Sequence, residues 1–120
     1  MRAEDEVVLL LVTFPGRDDA ERLGEQLVEE LMAGAGLVIP AVHSFAINAG
    51  RLQREHEALL ILHTTKGQSE RAQARLAELH GSPNLAIVEI AASGGSQRYL
   101  DWLAGAVGAP RAEAQPTPGE

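Results

Sequence analysis

The segment from Leu37 to Thr64, LVIPAVHSFAINAGRLQREHEALLILHT, decides how the chain folds. It reads as two long strands joined by the two-residue turn Ala49-Gly50. A loop of that length ending in glycine signals a hairpin, although alanine is not the favoured partner. The first strand, Leu37 to Ile47, is interrupted by Pro40. Proline cannot donate to a ladder, so Pro40 marks an edge or a bulge. The second, Arg51 to Thr64, alternates weakly and then runs Ala58-Leu59-Leu60-Ile61-Leu62, as a strand covered on both faces does. If Asn48 faces Arg51, counting back along both strands puts His43 opposite His56. Glu55 and Glu57, one residue to either side, point to the other face.

Working outward, Val7 to Val12 is continuous, apolar and rich in valine, and also reads as a doubly covered strand. Thr13-Phe14-Pro15-Gly16 ends it. Asp18 and Asp19 place acids where a helix dipole favours them. Leu23, Leu27, Val28 and Leu31 then form one apolar stripe, and Gly34 and Gly36 are expected to stop that helix. After the hairpin, Ser69 to His80 is expected to be helical, with Ala72, Leu76 and Leu79 on one face and Gly81 beyond its end. Leu85 to Ala91 is expected as a fourth strand, and Ser96 to Ala106 as a short last helix. From Gly108 to Glu120 the Pro-, Ala- and Glu-rich sequence has no apolar period, and a disordered tail is expected behind one domain of residues 1–107. The order β-α-β-β-α-β-α is the split βαβ, ferredoxin-like signature of the α+β class. It gives a four-stranded antiparallel sheet with helices on one face. Strands that read as doubly covered need a cover on the other, so oligomerisation through the open face is expected.

The 120 residues suit one domain. Phe14, Phe45, Tyr99 and Trp102 are the only aromatics, so the core must be Leu, Val, Ile and Ala. Net charge is −7, with 10 basic side chains scattered among 17 acids, which makes nucleic acid a poor candidate partner. No apolar run is long enough to span a bilayer. The acids of Arg2-Ala3-Glu4-Asp5-Glu6 argue against a signal peptide, and a cytoplasmic protein is expected. With no cysteine there is no disulfide, thiolate ligand or cysteine nucleophile.

Thr13-Phe14-Pro15, Ala20-Glu21 and Leu27-Val28-Glu29-Glu30-Leu31 resemble the first strand and helix of the CutA divalent-cation-tolerance family. Ser44-Phe45, Gly50, Glu57 and Leu62-His63-Thr64-Thr65 fall in that family's hairpin register. Glu78-Leu79-His80 and Tyr99-Leu100-Asp101-Trp102-Leu103 match its second helix and C-terminal signature. The resemblance implies a tight cytoplasmic homotrimer, without enzymatic activity, associated with tolerance to divalent cations and copper especially. The family's copper site uses a cysteine late in the first strand and histidine at the end of the second helix. Those positions here hold Val12, Leu79 and His80, of which only His80 can be a ligand. This chain also has Ala33-Gly34 in place of Ala-Ala-Cys, Ala46 and Asn48 in place of hairpin Tyr and Trp, and His63 in place of a lysine. The family's His-Pro-Tyr run is reduced to His80-Gly81-Ser82-Pro83.

The candidate metal ligands are His43, His56 and His80, with copper or zinc as the ion. Opposed side chains in an antiparallel pair stand about 5 Å apart at Cβ, close enough for His43 and His56 to share one metal. Two nitrogens are fewer than the four ligands of a structural zinc, so another subunit would supply the rest. The plainer reading is a pair of partly exposed histidines on an oligomer surface, and a helix dipole alone accounts for His80. Glu57, His63, Tyr99 and Trp102 are expected in an inter-subunit cleft. His63 beside Thr64, Thr65 and Lys66 could hold an anion at a helix start, or these residues could simply cap that helix. Tyr99 and Trp102 share a helical face, as a ligand-stacking wall or as packing anchors. Ser93-Gly94-Gly95-Ser96 lacks the lysine of a phosphate loop and reads as a connection with Ser96 as N-cap. The alternative function is a PII-like regulator binding a small anionic metabolite or nucleotide between subunits.

Overall fold

A computed structural model describes residues 2–82 and 84–108. The expected tail therefore lies outside the described residues from position 109 onward. After one 3-10 turn, Ala3–Asp5, the elements are β1 (Val7–Phe14), α1 (Arg17–Glu29), β2 (Ala35–Asn48), β3 (Arg51–Thr65), α2 (Lys66–His80), β4 (Ile87–Ala91) and α3 (Gln97–Ala106). The sheet order is β2-β3-β1-β4 and every neighbouring pair is antiparallel. This is the expected βαββαβ arrangement with one helix added.

Burial alternates along β1. Val8, Leu10, Val12 and Phe14 are buried, while Val7, Leu9, Leu11 and Thr13 are only half-buried. The buried set meets Leu23 and Leu27 of α1, Ala72 and Leu76 of α2, and Leu60 and Leu62 of β3 in one core. Within a single chain α1 and α2 cover one face of β1 and β3, and α3 reaches only one end of the other, beside His63. The other face carries an apolar row across all four strands, Leu37–Ile61–Leu11–Val88, in register. Its ends are the most open, Leu37 at 53 % and Val88 at 57 % exposure.

The hairpin has the expected register, Asn48 opposite Arg51 and His43 opposite His56. Ala49 and Gly50 both take positive φ, 52° and 76°, as a mirror-image turn requires. Alanine is strained there. Ala49→Asn is expected to stabilise the protein by about 0.5–1 kcal/mol, a rise of a few degrees in Tm by calorimetry. Pro40 marks both an edge and a bulge. β2 is an edge strand, and Pro40 and Ala41 together face Ala58 between the pairs Ile39–Leu59 and Val42–Glu57. That extra residue reverses which side each later β2 side chain takes.

Several boundaries differ from expectation, and β2 already begins at Ala35, which takes Gly36 into the strand. α1 stops at Glu29 because Leu31, not a glycine, turns left-handed at φ 62°. The Gly108 N–H donates to the Leu31 carbonyl at 2.8 Å and holds it there. Gly34 serves packing instead, since the Leu103 side chain fills the space a Cβ would need. α2 starts at Lys66, directly out of β3, and β4 starts at Ile87. Gly81 ends α2 as expected, left-handed at φ 78°. Arg75 ties the two long helices, its Nε and Nη2 donating to the Glu30 carboxylate at 2.8 and 2.9 Å. These bonds, helped by Gln26, hold the Glu30 carboxyl down at about 2. Its stabilising contribution is therefore present above the ordinary carboxylate range and fades as the pH falls toward about 2.

Candidate metal and inter-subunit sites

β1 ends at Phe14, opposite Ala58, so residues 42–57 project past the sheet as a two-stranded ribbon. On it the His43 and His56 rings lie with centroids 5.5 Å apart and tilted by 56°. Phe45 lies 5.7 Å from the His43 ring. Because of the bulge, Phe45 and Ile47 share the His43 side, joined across the ribbon by Leu52 and Arg54. Phe45 and Ile47 are 68 % and 70 % exposed. The opposite side is polar, and there Ser44 Oγ donates to Glu57 Oε1 at 2.5 Å. Glu57 is thus tied within the ribbon.

His80 ends α2 with its ring edge-on to Phe14, centroids 5.5 Å apart. Among the described residues its buried Nδ1 has no hydrogen-bond partner. His56 stands two residues before Ala58, the register partner of Phe14, on the same side of β3. The three histidines therefore share one side of the molecule, but among the described residues no three His, Cys, Asp or Glu converge to hold a metal ion. The family's copper site does not fit this chain. Val12 is fully buried in the core and Leu79 packs against it, which leaves His80 alone.

The open sheet face holds His63 of β3, in register with Leu9 and Ala35. Its Nδ1 stands 2.7 Å from Tyr99 Oη. Burial pushes the His63 imidazolium down and the Tyr99 phenol up. Both shifts favour a phenol O–H donating to a neutral ring, with the ring proton on Nε2. Tyr99 in turn packs on Trp102, ring centroids 5.7 Å apart, and Leu103 beside them is fully buried. Three of the four expected cleft residues thus come together in one chain. Glu57 is on the same side of β3 but six residues from His63, about 20 Å along the strand.

The caps differ from expectation. Thr65 and Ser96 occupy N-cap positions without side-chain capping bonds. Thr64 Oγ1 donates instead to the Met32 carbonyl at 2.6 Å. Lys66, at the start of α2, is engaged by Glu89 at 2.7 Å, and Ser69 Oγ donates to the same carboxylate. Lys66 holds the Glu89 carboxyl below its ordinary value, and Glu89 holds the ammonium above its own. An anion at this helix start would have to displace that carboxylate.

A helix-backed antiparallel sheet with an apolar row on its other face and a projecting ribbon defines a ferredoxin-like α+β domain. The model of the CutA1 divalent ion tolerance protein family matches residues 8–106, and the chain belongs to that family. It is 31 % identical over 95 residues to the divalent-cation tolerance protein CutA of Thermus thermophilus, covering 79 % of this chain and 92 % of the relative. It is 27 % identical over 96 residues to the chloroplastic protein CutA of Arabidopsis thaliana, a match that spans 80 % of this chain and only 53 % of that longer relative. Among solved structures, the Thermus thermophilus protein (Cut A1) superposes with a TM-score of 0.80 at 28 % identity, over 85 % of this chain and 99 % of that one. CutA1 from Oryza sativa, 21 % identical, shares the fold at a TM-score of 0.81, over 93 % and 100 % of the two chains. The family favours the cation-tolerance reading over a PII-like regulator.

Proposed function

We propose that this protein is a non-enzymatic, cytoplasmic homotrimer that binds divalent cations, copper or zinc, through the ribbon pair His43 and His56. The observation that carries the reading is that pair: two exposed imidazoles in cross-strand register, 5.5 Å between ring centroids, on a two-stranded support. Imidazole is a good ligand for both ions, and two from one chain leave coordination positions for water or a neighbouring subunit. Family membership supports the cation reading, and the bare row Leu37–Ile61–Leu11–Val88 supports assembly. In that assembly His63, Tyr99 and Trp102 line the contact between subunits, and Glu57 faces a neighbour from the ribbon. His80, with one ring nitrogen buried, is a secondary ligand at most.

The test is a panel of divalent ions read by Tm at fixed protein concentration. Copper or zinc at 100 times Kd is expected to add about 2–3 kcal/mol of stability, a clear upward shift. His43→Ala or His56→Ala should each abolish that shift, and His80→Ala should leave most of it. A panel in which no divalent ion moves Tm, or in which both ribbon variants respond like the parent, would exclude the pair as the site.

A further inference from the structure

We propose that the groove between α1 and the edge strand β2 binds linear aliphatic polyamines. The groove encloses about 580 Å³, within the range of small-molecule sites. Its floor is apolar: Val28 from α1, Val38 and Pro40 from β2, and Leu60 from β3 beneath them. Two glycines keep it open. At Gly24 a Cβ would meet Leu60 Cδ1 at 2.7 Å, so the helix backbone itself forms the wall. Gly36 leaves a notch where a side chain would stand 3.3 Å from Leu62 Cδ2.

The rim supplies charge. Glu21, Glu25 and Glu29 border the groove along one helix edge, with Arg17 at its end. Arg17 Nε is paired with Glu21 at 3.1 Å, while Glu25 and Glu29 have no ion-pair partner among the described residues. The three acids recur every four residues, so they are strung about 6 Å apart over about 12 Å of helix. That spacing does not suit a point ion, and no three carboxylates or imidazoles among the described residues converge on one. It suits a chain of ammonium groups separated by methylenes: the charges meet the rim and the methylenes cover the floor. A metal ion would gain nothing from Val28, Val38 and Leu60. The groove is on the helix side of the sheet, away from the row Leu37–Ile61–Leu11–Val88. The inference is independent of the histidine pair.

The experiment is calorimetric titration of the full chain with spermidine, after metal is stripped with a chelator and the chelator is dialysed away, so that the ribbon histidines carry no metal. One spermidine per chain is expected, bound at least tenfold more tightly than magnesium or methylammonium. Glu25→Gln/Glu29→Gln changes only exposed side chains and is expected to weaken spermidine at least tenfold. Val38→Phe fills the floor and should abolish binding with rim charges intact. If Val38→Phe fails to fold, comparing spermidine with magnesium on the parent and on the charge variant still decides. No spermidine binding, or magnesium binding as well as spermidine, overturns the proposal. So does binding that Val38→Phe leaves unchanged in a folded protein.

Discussion

Phe14→Ala is expected to cost about 3–5 kcal/mol, the largest loss from any single truncation in this chain. Phe14 is the one aromatic ring among the fully buried core residues. It closes the end of β1 opposite Ala58, a residue too small to fill the space vacated. His80 packs edge-on against its ring from the end of α2, so the same side chain joins sheet and helix. Backbone on two strands frames the site, which limits how far the cavity can collapse. Denaturant unfolding at fixed protein concentration measures the loss, with the m-value showing whether the unfolding surface is preserved. A cost under about 1 kcal/mol would mean that α2 settles into the gap and that Phe14 does not anchor the core.

The second large effect concerns assembly. Leu37→Asp/Val88→Asp places a carboxylate at each end of the row that crosses the bare face. Both residues are more than half exposed in the single chain, so the folded subunit should tolerate the change. In a trimer closed over that face the new charges would be buried without partners, at several kcal/mol per subunit. Light scattering at micromolar concentration is expected to give a trimer mass for the parent and a monomer mass for the variant, with unchanged far-ultraviolet circular dichroism. A parent that is already monomeric, or a variant that stays trimeric, would refute assembly through this face.

The elements that were legible in the sequence are those fixed by local chemistry. Gly50 set the hairpin turn, the turn set the register, and the register alone put His43 opposite His56. Pro40 announced the bulge for the same local reason. What stayed hidden depends on contacts distant in sequence. The end of α1 is held at Leu31 by a hydrogen bond from Gly108, and no local rule puts a leucine in a left-handed turn. Val7 to Val12 looked covered twice because an apolar run does not say whether its second cover comes from its own chain or from another copy. Tyr99 and His63 were grouped together, but their contact follows from where α3 docks and not from spacing. The α1–β2 groove left little trace, since Gly24 carries no local signal of its own and Gly36 reads as a helix stop until both walls are seen together.

The bulge at Pro40-Ala41 has a consequence for symmetry. Before it, Leu37 and Ile39 continue the bare sheet face; after it, Phe45 and Ile47 emerge on the opposite side, with Leu52 across from Ile47. One subunit therefore offers two sticky surfaces aimed in opposite directions. A two-fold pair joined through one self-complementary patch would cover only one of them. A head-to-tail arrangement uses a different patch on each of two neighbours, and it must either close into a ring or grow without limit. In the proposed assembly, one inserted residue in an edge strand would thus favour cyclic closure, of which three-fold is the smallest case, and would make incomplete closure a route to fibres.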